Sequence, residues 1–140
     1  MEHKVITHWK GNSQFESDNP SGKTLLIDTS VEDGGYNSGL RPKALMLASL
    51  AGCSGLDVVS ILNKMKVKIS DFRIDTSGEL TEEHPKYYHT VMVEYHFYGD
   101  NLEEAKIKKA VDLSIEKYCG VMEMFRRFAT VNTSIHYHNT

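Results

Sequence analysis

The chain has 140 residues, 40% hydrophobic and 25% charged, a balance that suits one water-soluble globular domain spanning 1–140. Its net charge is −3 and its basic residues form no stripe, which argues against a nucleic-acid partner. Residues 1–5 open no apolar leader, and the longest uncharged run, 44–56, is 13 residues, short of a bilayer span; the expectation is a cytoplasmic protein with no membrane partner.

In chain order, 3–9 alternates loosely as a first strand, 14–17 suits a strand pairing with it, and 23–28 carries Leu25, Leu26 and Ile27. Gly34, Gly35, Asn37 and Gly39 make 32–40 a loop. Pro42 opens a helix, because proline has no N–H to leave orphaned at the first helical position. That helix extends to about Lys66. Its first half, with Ala44, Leu45, Met46, Leu47, Ala48, Leu50 and Ala51, is apolar nearly all round, so it must be buried on all sides. One domain of this size wraps a central helix poorly, and a second subunit is expected to complete the burial. Gly52 and Gly55, each costing about 1 kcal/mol in a helix interior, fit a close approach by another helix or a ligand.

Strands follow at 68–79, with Ile69, Phe72 and Ile74, and at 87–98, where Val91, Val93, Tyr95 and Phe97 alternate with Met92, Glu94, His96 and Tyr98. Residues 82–86 make a hairpin loop between them. A helix over 102–117 places Ala105, Ile107, Ala110, Val111 and Ile115 on one face; a short helix over 119–128 and a last strand over 131–138 close the chain. Strands grouped in blocks predict an α+β fold with mostly antiparallel sheets.

Two cysteines, Cys53 and Cys119, are the only ones, 66 positions apart. A lone disulfide is not a structural staple in a reducing compartment, so each is either a buried hydrophobe or a reactive group. Ser49, Cys53, Asp57 and Ser60 share one helix face, which suits a pocket lining; equally, Cys53 fills space while Asp57 and Ser60 face solvent. Cys119 stands near a helix start, where unpaired N–H groups favour a thiolate, with Lys117 and Arg126 nearby in sequence. A core cysteine at a helix joint reads equally well. By this chemistry Cys119 is the more acidic thiol, because Asp57 opposes ionisation of Cys53. Among 7 histidines, His136 and His138 share a face of the last strand and His96 can lie across from them, but no Cys or acidic partner stands at ligand spacing. They read as surface residues, and no metal centre is expected. Neither Gly34-Gly35 nor Gly52-x-x-Gly55 matches a phosphate loop, and no Ser-His-Asp arrangement is readable.

Two stretches carry a family resemblance: Ala51-Gly52-Cys53-Ser54-Gly55-Leu56-Asp57-Val58-Val59-Ser60-Ile61-Leu62 and Ala110-Val111-Asp112-Leu113-Ser114-Ile115-Glu116-Lys117-Tyr118-Cys119. From Gly39 to the C-terminus the chain resembles the OsmC/Ohr family of hydroperoxide-reducing proteins. The resemblance implies an intertwined α+β homodimer with the central helices buried together. It implies that Cys53 attacks the peroxide and Cys119 resolves it, the reverse of the acidity order above. It implies activation by an Arg from an N-terminal loop and a Glu at the start of the central helix. Here Lys43 stands where that Glu would be, and no Arg precedes Arg41. Ten helical residues rise about 15 Å, so Lys43 cannot reach Cys53 along a straight helix.

The expected function is a thiol-dependent peroxidase that reduces organic hydroperoxides through Cys53 and Cys119, with Arg41, Lys43, Ser49 and Asp57 in support. It needs no bound cofactor, only an external dithiol reductant. The alternative is a non-catalytic protein of the same fold that binds a small apolar ligand or senses redox state. The missing Arg and Glu favour the alternative; the two cysteines favour the enzyme.

Overall fold

The computed structural model describes residues 1–140, which fall into two compact units, 1–46 and 47–140. The first holds an antiparallel sheet of β1 (Thr7–Gly11), β2 (Gln14–Ser17) and β3 (Leu25–Ile27), in that order. The first reversal passes through Gly11 and Asn12 at φ 105° and 50°, a conformation open to Gly and Asn and strained for most side chains. After β3 the backbone folds around the buried carboxylate of Asp28. That carboxylate accepts from Ser38 Oγ at 2.6 Å and from the amides of Thr29, Tyr36 and Ser38. These bonds, that from Ser38 Oγ foremost, hold its pKa down at about 2.

Helix α1 (Pro42–Lys64) begins at the expected proline. It ends two residues short of the expected Lys66, for a visible reason. Lys66 turns left-handed at φ 58°; its amide donates to Asn63 O and that of Val67 to Leu62 O, the paired bonds of a Schellman cap. Buried Val67 and Leu62 supply the apolar contact that accompanies such a cap.

Beyond α1 come β4 (Asp71–Leu80), β5 (Tyr88–Gly99), α2 (Glu104–Leu113), a π-helical turn (Ser114–Tyr118), α3 (Gly120–Arg126) and β6 (Thr130–Asn139). The second sheet has the order β4-β5-β6. β4 and β5 are antiparallel, as the hairpin loop requires, whereas β5 and β6 are parallel. The sheets are thus mostly antiparallel with one parallel pair. Parallel strands need a long crossover, and α2, the π-turn and α3 provide it.

Central β5 aims Val91, Val93, Tyr95 and Phe97 into the core, all fully buried. Onto that face pack Leu50, Ser54, Val58 and Leu62 of α1, a ridge at every fourth residue, with Ile107, Ala110 and Val111 of α2 and Met122 and Phe125 of α3. Gly55 permits close approach to β4: a Cβ there would lie 3.2 Å from Ile74 Cδ1, while Gly52 faces open space. The expectation that α1 is buried on all sides is not met within one chain, which buries only the ridge; Leu56 stays 76% exposed and Val59 43%. By length and composition alone α1 could also cross a bilayer, a test that the core helix of a globular protein passes too.

Candidate functional site: two thiols and a carboxylate

Residues 47–140 bring together three of the expected site residues. The donor atoms of Cys53, Asp57 and Cys119 all lie within 4.8 Å of one another. Cys53 and Asp57 are one turn apart on α1, so their side chains share a face. Cys119 arrives from a different direction, at the joint between the π-turn and α3. The i→i+5 bond from Cys119 N to Ser114 O, 2.9 Å, closes the π-turn. Such a turn holds one residue more than an α-helical one, and these insertions concentrate at functional sites. Cys119 is then extended (φ −78°, ψ 101°) and caps α3, its Sγ accepting from Met122 N at 3.3 Å.

The two thiols sit in different surroundings. Cys53 is partly exposed, while Cys119 is buried. Burial first, and then a hydrogen bond with the Cys53 thiol, push the Cys119 pKa up to about 12, outweighing the Met122 amide and adding to the repulsion from Asp57. The expectation that a helix start makes Cys119 an acidic thiol is therefore overturned: desolvation beats one amide. The nearby cations do not offset it. Arg126 is engaged by Ile115 O and Glu123, and the Lys117 ammonium lies over the Tyr118 ring.

Beneath the sulfurs runs a buried chain of hydroxyls: Tyr95 OH to Ser54 Oγ at 2.7 Å, Ser54 Oγ to Ser114 Oγ at 2.8 Å, and Ser114 Oγ to Asp57 Oδ2 at 3.1 Å. An ionised carboxylate only accepts, and each hydroxyl has one proton. Every donor therefore points the same way, from Tyr95 towards Asp57. Burial, partly offset by the Ser54 bond, pushes the Tyr95 pKa up to about 12, so the phenol keeps its proton. These three residues were missed as site residues. The available signal was a hydroxyl in the middle of each apolar face: Ser54 in the α1 ridge, Tyr95 among the inward residues of β5, Ser114 after Ile107 and Val111.

The remaining expected residues lie elsewhere. Ser49 is exposed on α1. Ser60 lines, with Asp57, Ile61, Lys64, Met65, Lys109, Leu113 and Tyr118, a cavity of about 450 Å³ that adjoins the cluster through Asp57. In the N-terminal unit, the Arg41 guanidinium is held by Asn37 Oδ1 at 2.7 Å and by the carbonyls of Asp28 and Gly39, while Lys43 is exposed in the first turn of α1. Two cysteine sulfurs and a carboxylate at this spacing also form a donor set suited to a soft divalent cation.

Residues 35–134, spanning both cysteines, match the family described as OsmC-like protein. The chain belongs to the OsmC-like family. It is 31% identical over 126 residues to the Escherichia coli K12 protein YhfA, covering 90% of this chain and 91% of that one. A hypothetical protein from Aquifex aeolicus VF5 superposes with a TM-score of 0.86 at 30% identity, covering 100% of this chain and 98% of its own. The fold also matches that of an organic hydroperoxide resistance protein OsmC from Legionella pneumophila, at TM-score 0.69 and 19% identity, over 97% of each chain. The α+β OsmC-like fold expected from the sequence is thus observed.

Proposed function

We propose that this OsmC-like protein is a thiol peroxidase for organic hydroperoxides, with Cys53 as the attacking sulfur and Cys119 as the resolving one. The observation that carries the reading is the pair of sulfurs within 4.8 Å of each other and of Asp57, one partly exposed and one buried. The Cys53 thiolate attacks one peroxide oxygen; the O–O bond breaks, the alkoxide takes a proton and leaves as alcohol, and Cys53 becomes a sulfenic acid. Cys119 then passes its proton to Asp57 and, as a thiolate, attacks that sulfur. Its proton leaves with the sulfenic hydroxyl as water, and a disulfide remains. An external cytoplasmic dithiol returns both thiols and is itself oxidised. Asp57 is a group able to carry the proton in both steps. The cavity beside Asp57, apolar at Ile61, Met65 and Leu113, suits the organic part of the peroxide. The scheme uses no bound cofactor.

The likeness in fold to a hydroperoxide resistance protein supports this reading. The test is peroxide consumption with a dithiol reductant. Cys53→Ser should abolish turnover, and Cys119→Ser should allow a single turnover that stops at the sulfenic acid. Wild type that consumes no organic hydroperoxide sinks the enzyme reading and leaves a redox-sensing or ligand-binding protein. That second reading is favoured by Arg41, whose guanidinium is already held by three acceptors of its own unit.

The working form in this proposal is a homodimer. An open apolar groove of about 590 Å³, lined by Ala51, Gly52, Gly55, Leu56, Val59, Phe72 and Ile74, runs along the face of α1 that one chain leaves uncovered. Isolated large apolar patches of this kind are costly in water. Sedimentation at micromolar concentration should give a dimer; a monomer refutes it.

A further inference from the structure

The outer face of the β4-β5-β6 sheet carries a second cluster, remote in kind from the thiols. Cross-strand register sets Asp75 directly opposite Glu94, and His96 directly opposite His136. Two carboxylates facing each other across an antiparallel pair destabilise a sheet unless a cation lies between them. Arg73 supplies part of that charge, from Nε to Asp75 Oδ1 at 2.8 Å and from Nη2 to Oδ2 at 3.1 Å. Glu94 has no such fork; its nearest recorded polar contact is His136 Nε2 at 3.6 Å.

We propose that Asp75, Glu94 and His96 form a surface site for a divalent cation of the zinc class, which His136 completes by turning towards it. The donor atoms of Asp75, Glu94 and His96 lie within 4.8 Å of one another. His96 Nε2 is 3.4 Å from Asp75 Oδ2; His136 Nε2 is 3.6 Å from Glu94 Oε1 and 2.9 Å from Ser134 Oγ, a bond it gives up on binding the ion. Ligands at 2.0–2.2 Å on one tetrahedral ion stand roughly 3.3–3.6 Å apart, so both pairs already have the spacing of ligands sharing an ion. Two imidazoles and two carboxylates are a borderline donor set, which zinc accepts and calcium or magnesium does not favour.

The surroundings fit ligation as well. A metal-binding histidine normally donates its other ring N–H to a fixed partner. His96 has one: its Nδ1 is 2.9 Å from His138 Nε2. With the proton on Nδ1, Nε2 is left as a lone-pair donor aimed at Asp75. His138 is held in turn by stacking on Tyr98, 4.5 Å between centroids, and His96 stacks on His136 at 4.5 Å. Arg73 can keep Asp75 Oδ1 through Nε while its Nη2 releases Oδ2 to the ion. Spacing along the chain gave these histidines no acidic partner; the partners come from adjacent residues and strands once β5 is central.

The test uses full-length protein carrying Cys53→Ser and Cys119→Ser, so that the thiols cannot bind the metal. Chelator-treated protein is titrated with zinc against a chromophoric competitor. One zinc per chain with a micromolar or tighter Kd is expected. His96→Ala and Glu94→Gln, each added to that background, should weaken binding by about 10- to 100-fold. Nitrogen-detected NMR of the thiol-free protein should show the Nε2 signals of His96 and His136 moving on zinc addition while His96 Nδ1 stays protonated. No zinc uptake at micromolar metal, affinity unchanged in both variants, or imidazole signals that do not move would each overturn the site.

Discussion

Tyr95, Ser54 and Ser114 show how much rests on single hydroxyls inside an apolar core. Removing the end of the chain differs from removing its middle. Tyr95→Phe takes away one donor and leaves Ser54 bonded to Ser114, so a loss of about 1 kcal/mol is expected in urea unfolding. Ser54→Ala strands the fully buried Tyr95 phenol and removes the donor to Ser114, and should be worse, about 2–3 kcal/mol. Equal losses would mean that the chain is not a directed one. The raised pKa values give a second outcome. Cys119 rises to about 12 from 9.0 and Tyr95 to about 12 from 10.0. The unfolded chain therefore releases these protons first. Their contribution to stability is complete below about pH 9 and declines as pH climbs from 9 towards 12. Melting temperatures followed across that range should fall, and Cys119→Ala with Tyr95→Phe should flatten the decline. The acidity of Cys119 was misjudged from sequence because its chain position was visible and its burial was not.

At the scale of elements, the π-turn is what aims Cys119. Deleting Glu116, an exposed residue inside the turn, should return it to α-helical pitch and rotate everything beyond by about 100°. Thiol-specific oxidants should then fail to link Cys53 and Cys119 within one chain, as read by mass spectrometry of unreduced peptides. Continued linkage would mean that the turn does not set the sulfur geometry. The sequence made several elements legible. Pro42 marked the start of α1, and strict alternation from Val91 to Phe97 marked β5. The π-turn was not legible, since one extra residue among Ser114–Tyr118 leaves no mark on local composition. Nor was the direction of β6, because a strand's own residues record which face is apolar and not whether its neighbour runs parallel.

At the scale of the molecule, α1 holds two surfaces with different destinies. Its ridge of Leu50, Ser54, Val58 and Leu62 is satisfied inside the chain, while Leu56 and Val59 are not. The apolar sequence of α1 predicted burial on every side with a second subunit completing it, and one chain buries one side and leaves the other uncovered. Leu56→Glu puts a charge into the uncovered groove without touching the ridge. It should weaken dimerisation by about 10-fold or more, since leaving a charge unpaired in an apolar interface costs several kcal/mol. Sedimentation should show monomer, with helix content unchanged by circular dichroism. A dimer as tight as wild type would show that the groove is not the interface.

Cys53 and Cys119 belong to parts of the chain separated by both middle strands and α2. A covalent link between them would close more than half of unit 47–140 into a ring. Ring closure removes conformations from the unfolded ensemble, and for a loop of this length that is worth about 4 kcal/mol. The oxidised protein should therefore melt about 14 °C above the reduced one. Oxidant would then act on the lifetime of the molecule as well as on its sulfurs: a chain caught in the linked form would outlast its reduced copies under proteolysis, and reductant would return it to ordinary turnover by the cell's proteases.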